Sequence, residues 1–259
     1  MTTAVAIEPP TEFESEALPI WREAFLSGID WTALHLSPVF YGLGVPKGNG
    51  KPVILVPGFL GSDTYLIELF LWLRRIGYQP SMSRIGQNAE CPELLAEKLL
   101  ETVCTVVAQT ERKVTLIGHS LGGTLARSVG VRRPDLIDQV ITLGSPIRSI
   151  RAHPLVLAVA RIVKFRIDMG RYRQPSCFTR ECQCTFARFL TEASLPKTID
   201  VAAVYTKTDG VVLWQSCVQE DSDRNMEVKG THCGLAFNPA AYKIIATELS
   251  RCPKERAIA

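Results

Sequence analysis

The sequence predicts an α/β protein, a doubly wound and mostly parallel sheet with a helical cap or lid inserted late in the chain. Three observations predict it. Short, continuously apolar runs such as Val53-Ile54-Leu55-Val56 and Val114-Thr115-Leu116-Ile117 have the character of parallel strands covered on both faces. Helix-length segments alternate with these runs through the first 143 residues and return near the end. Between residues 144 and 196 the alternation stops, for longer than an ordinary connection lasts.

Residues 1–19 carry Glu8, Glu12, Glu14 and Glu16 with no lysine or arginine, which is neither a secretory signal nor a transit peptide. Residues 20–40 place apolar side chains at mixed helical spacing and close a helical lead, 1–45, before Pro46 and the Lys47-Gly48-Asn49-Gly50 turn. The first clear strand, 52–56, runs into the glycine-rich loop Pro57-Gly58-Phe59-Leu60-Gly61. A helix over 65–76, a strand over 78–84, a helix over 92–109 and a strand over 113–117 follow, then a helix over 121–131 and a strand over 140–143. The predicted core is 46–145 joined to 197–259, with the insertion, 146–196, between its halves. A strand over 201–205, a short strand over 226–228 and a helix over 240–249 complete it.

Composition removes several function classes. With 259 residues, 46% hydrophobic and 21% charged, the chain suits one large core. A net charge of +3, without any aromatic-basic module, gives no basis for nucleic-acid binding. No apolar run approaches the ~18 residues of a membrane span, and the expected location is cytoplasmic. Eight cysteines sit awkwardly with a reducing compartment, so two redox readings stay open. Buried free thiols are the default, and a Cys217–Cys233 bridge bracing two loops is the alternative. Cys177, Cys182 and Cys184 lack the spacing of a zinc site, and neither a metal nor an organic cofactor is expected.

The chemistry concentrates at Gly118-His119-Ser120-Leu121-Gly122-Gly123, where a strand enters a glycine-flanked turn and a helix leaves it. A glycine-flanked serine can be an ordinary turn, but here the strand and helix surround it and two partners follow in order. A serine hydroxyl attacks carbonyl carbon only with a base beside it. Asp209 follows the strand 201–205 and His232 follows the strand 226–228, which brings both to the edge where parallel sheets collect their functional groups. His232 would take the Ser120 proton and Asp209 would fix the imidazole tautomer. Asp209 could instead be a plain Asp-Gly turn residue. Asp168, in the insertion and without a preceding strand, is its rival as the acid. His119 should point away from the reaction, while His35 and His153 read as structural or surface groups. The backbone N–H groups of Leu121 and Phe59 are the expected oxyanion donors, with Leu60 the fallback for Phe59.

Taken together, the motifs around Ser120, the Pro57-Gly58-Phe59-Leu60-Gly61 loop, Thr208-Asp209-Gly210-Val211-Val212 and Gly230-Thr231-His232 resemble the α/β-hydrolase superfamily, on the side of bacterial lipases and esterases. The resemblance spans about 46–249. It implies a carboxylic-ester hydrolase working through an acyl-enzyme, without implying a lipid substrate; the expected partner is an ester with an apolar acyl group. An acyltransferase with the same triad and a non-catalytic hydrolase-like binding module are the alternatives. Pro57 stands where such lipases often carry a histidine, leaving the donor role to the backbone.

The insertion is basic. Residues 146–190 hold nine lysines and arginines against Asp168 and Glu181. Val156, Val159, Val163 and Ile167 share one helical face, with Arg161, Lys164 and Asp168 on another. Such a helix either packs on the core with a solvated basic face or meets an anionic lipid surface.

Overall fold

The computed structural model describes residues 19–147, 152–169, 184–192, 195–219 and 222–251. The elements run α1 (Ile20–Leu36), β1 (Pro52–Val56), α2 (Ile67–Arg75), β2 (Gln79–Met82), α3 (Pro92–Thr110), β3 (Val114–His119), α4 (Leu121–Arg132) and β4 (Ile137–Leu143). They continue with α5 (Pro154–Met169), α6 (Thr185–Glu192), β5 (Asp200–Tyr205), β6 (Asn225–Glu227) and α7 (Pro239–Ser250), with single 3-10 turns between some of them. All six strands pair in parallel, in the order β2-β1-β3-β4-β5-β6. The chain therefore winds outward in both directions from the β1/β3 junction, as expected for a doubly wound sheet.

Strand composition follows from this layering. Ile54 and Val56 of β1 pack into one core with Leu95 and Leu99 of α3 and Leu125 and Val129 of α4. Val53 and Leu55 point the other way, into a second core with Leu34 of α1, Leu69 and Leu73 of α2 and Ile245 of α7. Successive side chains of a strand face opposite sides, so a strand covered on both must be apolar throughout. All five residues of β1 and all six of β3 are buried.

Two helices of the insertion are described. In α6, Phe186 and Phe189 are buried in the α3/α4 core. In α5, the buried side chain is Leu157, whereas Val159, expected on the buried face, is exposed together with Leu155, Ile162 and Phe165. The side chain of Arg161 is exposed, but those of Lys164, Arg166, Ile167 and Asp168 lie outside what is described, as do residues 148–151 and 170–183 with most of the basic cluster. The Cys217–Cys233 bridge does not form: both are free thiols. Cys91 is disulfide-bonded, contrary to the default of free thiols. Cys177 and Cys182 lie outside the described residues. No helix among the described residues is long and apolar enough to cross a membrane.

Main chain packs very closely where α4 leaves β3. A Cβ on Gly122 would fall far inside contact distance of the carbonyl oxygens of Val56 and Pro57, and one on Gly118 would strike the backbone of Gly122 and Gly123. These neighbours are main chain and cannot swing away. Gly122→Ala is therefore expected to cost about 1–3 kcal/mol, read as a lower midpoint in urea or thermal unfolding. Gly28→Ala, at an exposed helix position with open space around it, should raise stability by about 0.5–1 kcal/mol.

Candidate active site

Ser120 stands on the corner between β3 and α4 with φ 51° and ψ −128°. A left-handed backbone is unfavourable for a residue with a Cβ, and an outlier of this kind persists only where the surroundings enforce it. Here the Ser120 N–H donates to the Leu143 carbonyl at 2.8 Å, and its carbonyl accepts the Gly123 N–H at 3.0 Å. The turn places Ser120 at the C-terminal end of β3, immediately before the first turn of α4.

Asp209 and His232 come to the same edge on the loops after β5 and β6. The His232 Nδ1–H donates to Asp209 Oδ2 at 2.6 Å, with both side chains almost wholly buried. The other Asp209 oxygen accepts the N–H groups of Val211 and Val212 at 2.8 and 2.7 Å. Both carboxylate oxygens are thus bonded, and with Nδ1–H committed to Asp209 a neutral imidazole carries its free lone pair on Nε2. Burial alone would lower the His232 pKa, but the Asp209 charge and hydrogen bond, with Glu23 behind them, hold it above the ordinary histidine value. Among the described residues, His232 bonds to Asp209 through Nδ1 and to His119 through its carbonyl, with no hydrogen bond to the Ser120 hydroxyl. Such contacts are often long before substrate arrives.

His119 is buried beside the pair and not exposed at the reaction edge. Its Nε2–H donates to the His232 carbonyl at 2.9 Å. Burial, with the neighbouring His232, pushes its pKa down to about 3, so it stays neutral and serves as a support. The thiols beside the histidine are poor nucleophiles: burial pushes Cys233 up to about 12, and Cys217 is raised well above its ordinary value for the same reason.

The loop after β1 is held by a residue that the sequence reading did not single out. Asn88, fully buried, donates its side-chain amide to the Pro57 carbonyl and its N–H to the Gly61 carbonyl, each at 2.8 Å. Its own carbonyl accepts the Leu60 N–H at 2.8 Å. Leu60, at φ 61°, therefore has its donor engaged. The N–H groups of Phe59 and Leu121 have no partner among the described residues. Asp168 lies on α5, within a helix and not at a strand end. His35 caps its own helix turn by bonding the Trp31 carbonyl, and His153 Nδ1 accepts the Leu155 N–H.

Two further residues missed by sequence reasoning come from α1. Glu23 and Asp30 point inward, onto the loops that carry Asp209 and His232. Their signal was present but ambiguous. Glu23, Ser27, Asp30 and Leu34 share one helical face and Trp21, Phe25, Ile29 and Leu36 another, and the polar set is the one turned inward while Trp21 and Leu36 are 73% and 80% exposed. Helical periodicity finds two faces without saying which is buried, and the usual assignment is the reverse.

Comparisons with known proteins agree with this frame. Residues 94–166 match the PGAP1-like alpha/beta domain. A triacylglycerol lipase of Burkholderia plantarii is 32% identical over 132 residues, covering 48% of this chain and 37% of the lipase. The chain thus spans little more than a third of the length of that curated relative. Among solved structures, a metagenomic carboxyl esterase superposes with a TM-score of 0.58 at 16% identity, covering 79% of this chain and 76% of its own. The mature form of a Bacillus licheniformis lipase gives a TM-score of 0.53 at 15% identity over 80% of this chain and 94% of its own.

If the histidine is the base, it must be neutral to accept a proton. Since Asp209 and Glu23 hold its pKa up, the acid limb of kcat/KM for any ester hydrolysis is expected to have its midpoint above about 6.5, the ordinary histidine value. His119→Ala should leave that midpoint in place. A pH–rate series from pH 5 to 9 checks both.

Proposed function

We propose that this chain, an α/β-hydrolase-fold protein of the lipase/esterase type, cleaves carboxylic esters with an apolar acyl group through an acyl-enzyme on Ser120. The observation that carries the reading is the buried 2.6 Å Asp209–His232 pair on the sheet edge where the strained Ser120 turn ends.

In this reading His232 Nε2 takes the Ser120 proton as Oγ attacks the ester carbon, and Asp209 stabilises the imidazolium that results. The oxyanion is received by the N–H groups of Phe59 and Leu121, the latter at the N-terminus of α4, where the helix dipole favours negative charge. Collapse of the tetrahedral species expels the alcohol, which takes its proton from His232. Water, activated by the same imidazole, then releases the acid. The free Phe59 N–H and the engaged Leu60 N–H favour Phe59 as donor. The apolar acyl preference is supported by the loop itself, where Leu60 is 42% exposed beside Phe59, and by the lipase relatives. Contact with an anionic lipid surface through the basic insertion is kept as a secondary proposal.

Hydrolysis of p-nitrophenyl esters of increasing acyl length tests the reading. Turnover is expected to rise from acetate to a medium-chain ester, to vanish in Ser120→Ala and to fall by about 10³-fold or more in Asp209→Asn. A folded protein that cleaves none of the esters contradicts it. Acyl transfer to an added alcohol in preference to water would identify an acyltransferase with the same triad.

A further inference from the structure

Glu23 is 3% exposed, and a buried carboxylate is costly unless its oxygens are bonded. Its Oε1 accepts the Gly210 N–H at 2.8 Å and its Oε2 accepts the Cys233 N–H at 3.3 Å. Gly210 directly follows Asp209, and Cys233 directly follows His232. One side chain, from a helix before the first strand, therefore ties together the backbones on which both members of the pair are mounted. The same helix face adds three further contacts around the histidine loop: Ser27 Oγ lies 3.1 Å from Thr231 Oγ1, and Asp30 accepts from Thr231 Oγ1 and the Asn238 amide, each at 3.3 Å.

We propose that Glu23 is a positioning residue that holds the Asp209 and His232 loops in register and supports, through its negative charge, the imidazolium that His232 becomes. The inference rests on the ester-hydrolase reading of the site. An amide would offer one acceptor oxygen to two N–H donors, so a carboxylate is what braces both loops, and it also places charge behind a histidine that must turn positive.

The titratable groups facing Glu23 are Asp209, His232, the Cys233 thiol and the Tyr65 hydroxyl, with His119 packed behind His232 and Asp30 two turns further along α1. Burial above all, with the Asp209 charge, holds the Glu23 pKa above the ordinary carboxylate value, against the Gly210 N–H and His232, which lower it. Having a backbone N–H on each oxygen suits the ionised form. The sign for His232 follows: an anion nearby raises its pKa, so removing that charge lowers it and weakens the base.

Glu23→Gln keeps the size of the side chain and an acceptor for Gly210 while removing the charge. In the full chain, NMR titration of the His232 imidazole should shift downward by about one unit. With a medium-chain p-nitrophenyl ester, kcat should fall about tenfold while KM changes by less than about twofold, and the acid limb should move to lower pH. A Gln variant that folds normally with wild-type kcat and wild-type His232 titration overturns the inference. If Gln does not fold, Glu23→Asp decides: its shorter side chain keeps the charge but cannot span both loops. Reduced kcat with an unmoved His232 titration then supports the proposal, and wild-type kcat overturns it. Wild-type protein that is folded but hydrolyses no ester fails the hydrolase reading instead, while the NMR titration still reports on the Glu23 charge.

Discussion

At the end of β3 the chain must turn into α4 so closely against the end of β1 that no side chain fits at Gly122 between the helix and the Val56 and Pro57 carbonyls. That steric constraint sets everything else at the sheet edge. It drives Ser120 into a left-handed conformation, aims the first N–H groups of α4 outward, and brings them beside the loop that carries Phe59. The backbone strain, of order 1–3 kcal/mol for such a residue, is sustained by two buried cores, one on each sheet face, which leave the turn no room to relax. Asn88 completes the arrangement by bonding three backbone groups of the opposing loop, so both sides of the crevice are fixed before any ligand arrives.

The second side of the site is electrostatic. Asp209 has both oxygens bonded and holds the His232 tautomer, and behind them α1 turns Glu23, Ser27 and Asp30 inward. A helix that buries its carboxylates leaves apolar side chains outside, which accounts for Trp21 and Phe25 being exposed on the same element. A neutral His119, a raised His232 and the carboxylates of Asp209 and Glu23 share one buried cluster, where burial and charge act on each group in different directions.

Much of this was legible in the sequence because the relevant signals are local. Continuous apolar runs mark strands buried on both faces, and β1 begins and ends where Pro52 and Val56 predict. Ser120 follows β3 directly, and Asp209 and His232 lie on the loops after β5 and β6, so finding the strands put all three at one edge. What was not legible depends on contacts distant in sequence. Asn88 looks like any polar loop residue until the β1 loop is laid beside it. Glu23 lies 187 residues from Gly210, and nothing in its own neighbourhood says that the polar face of α1 is the buried one. On α5, Leu157 is buried and Val159 exposed, because an apolar-rich helix offers several equally good stripes. The cysteine bridge failed because proximity to the same edge does not bring two sulfur atoms together; Cys217 is buried next to the Leu213 carbonyl instead.

The central claim is that this edge activates one hydroxyl. Mass spectrometry of the protein after treatment with a fluorophosphonate tests it most directly, because only an activated serine attacks phosphorus quickly. The account predicts a single adduct on the peptide containing Ser120, lost on prior denaturation. An adduct on Ser62, which is partly exposed on the loop after β1, or on Ser145, which is buried beside Gly123, or no adduct on folded protein, would contradict it.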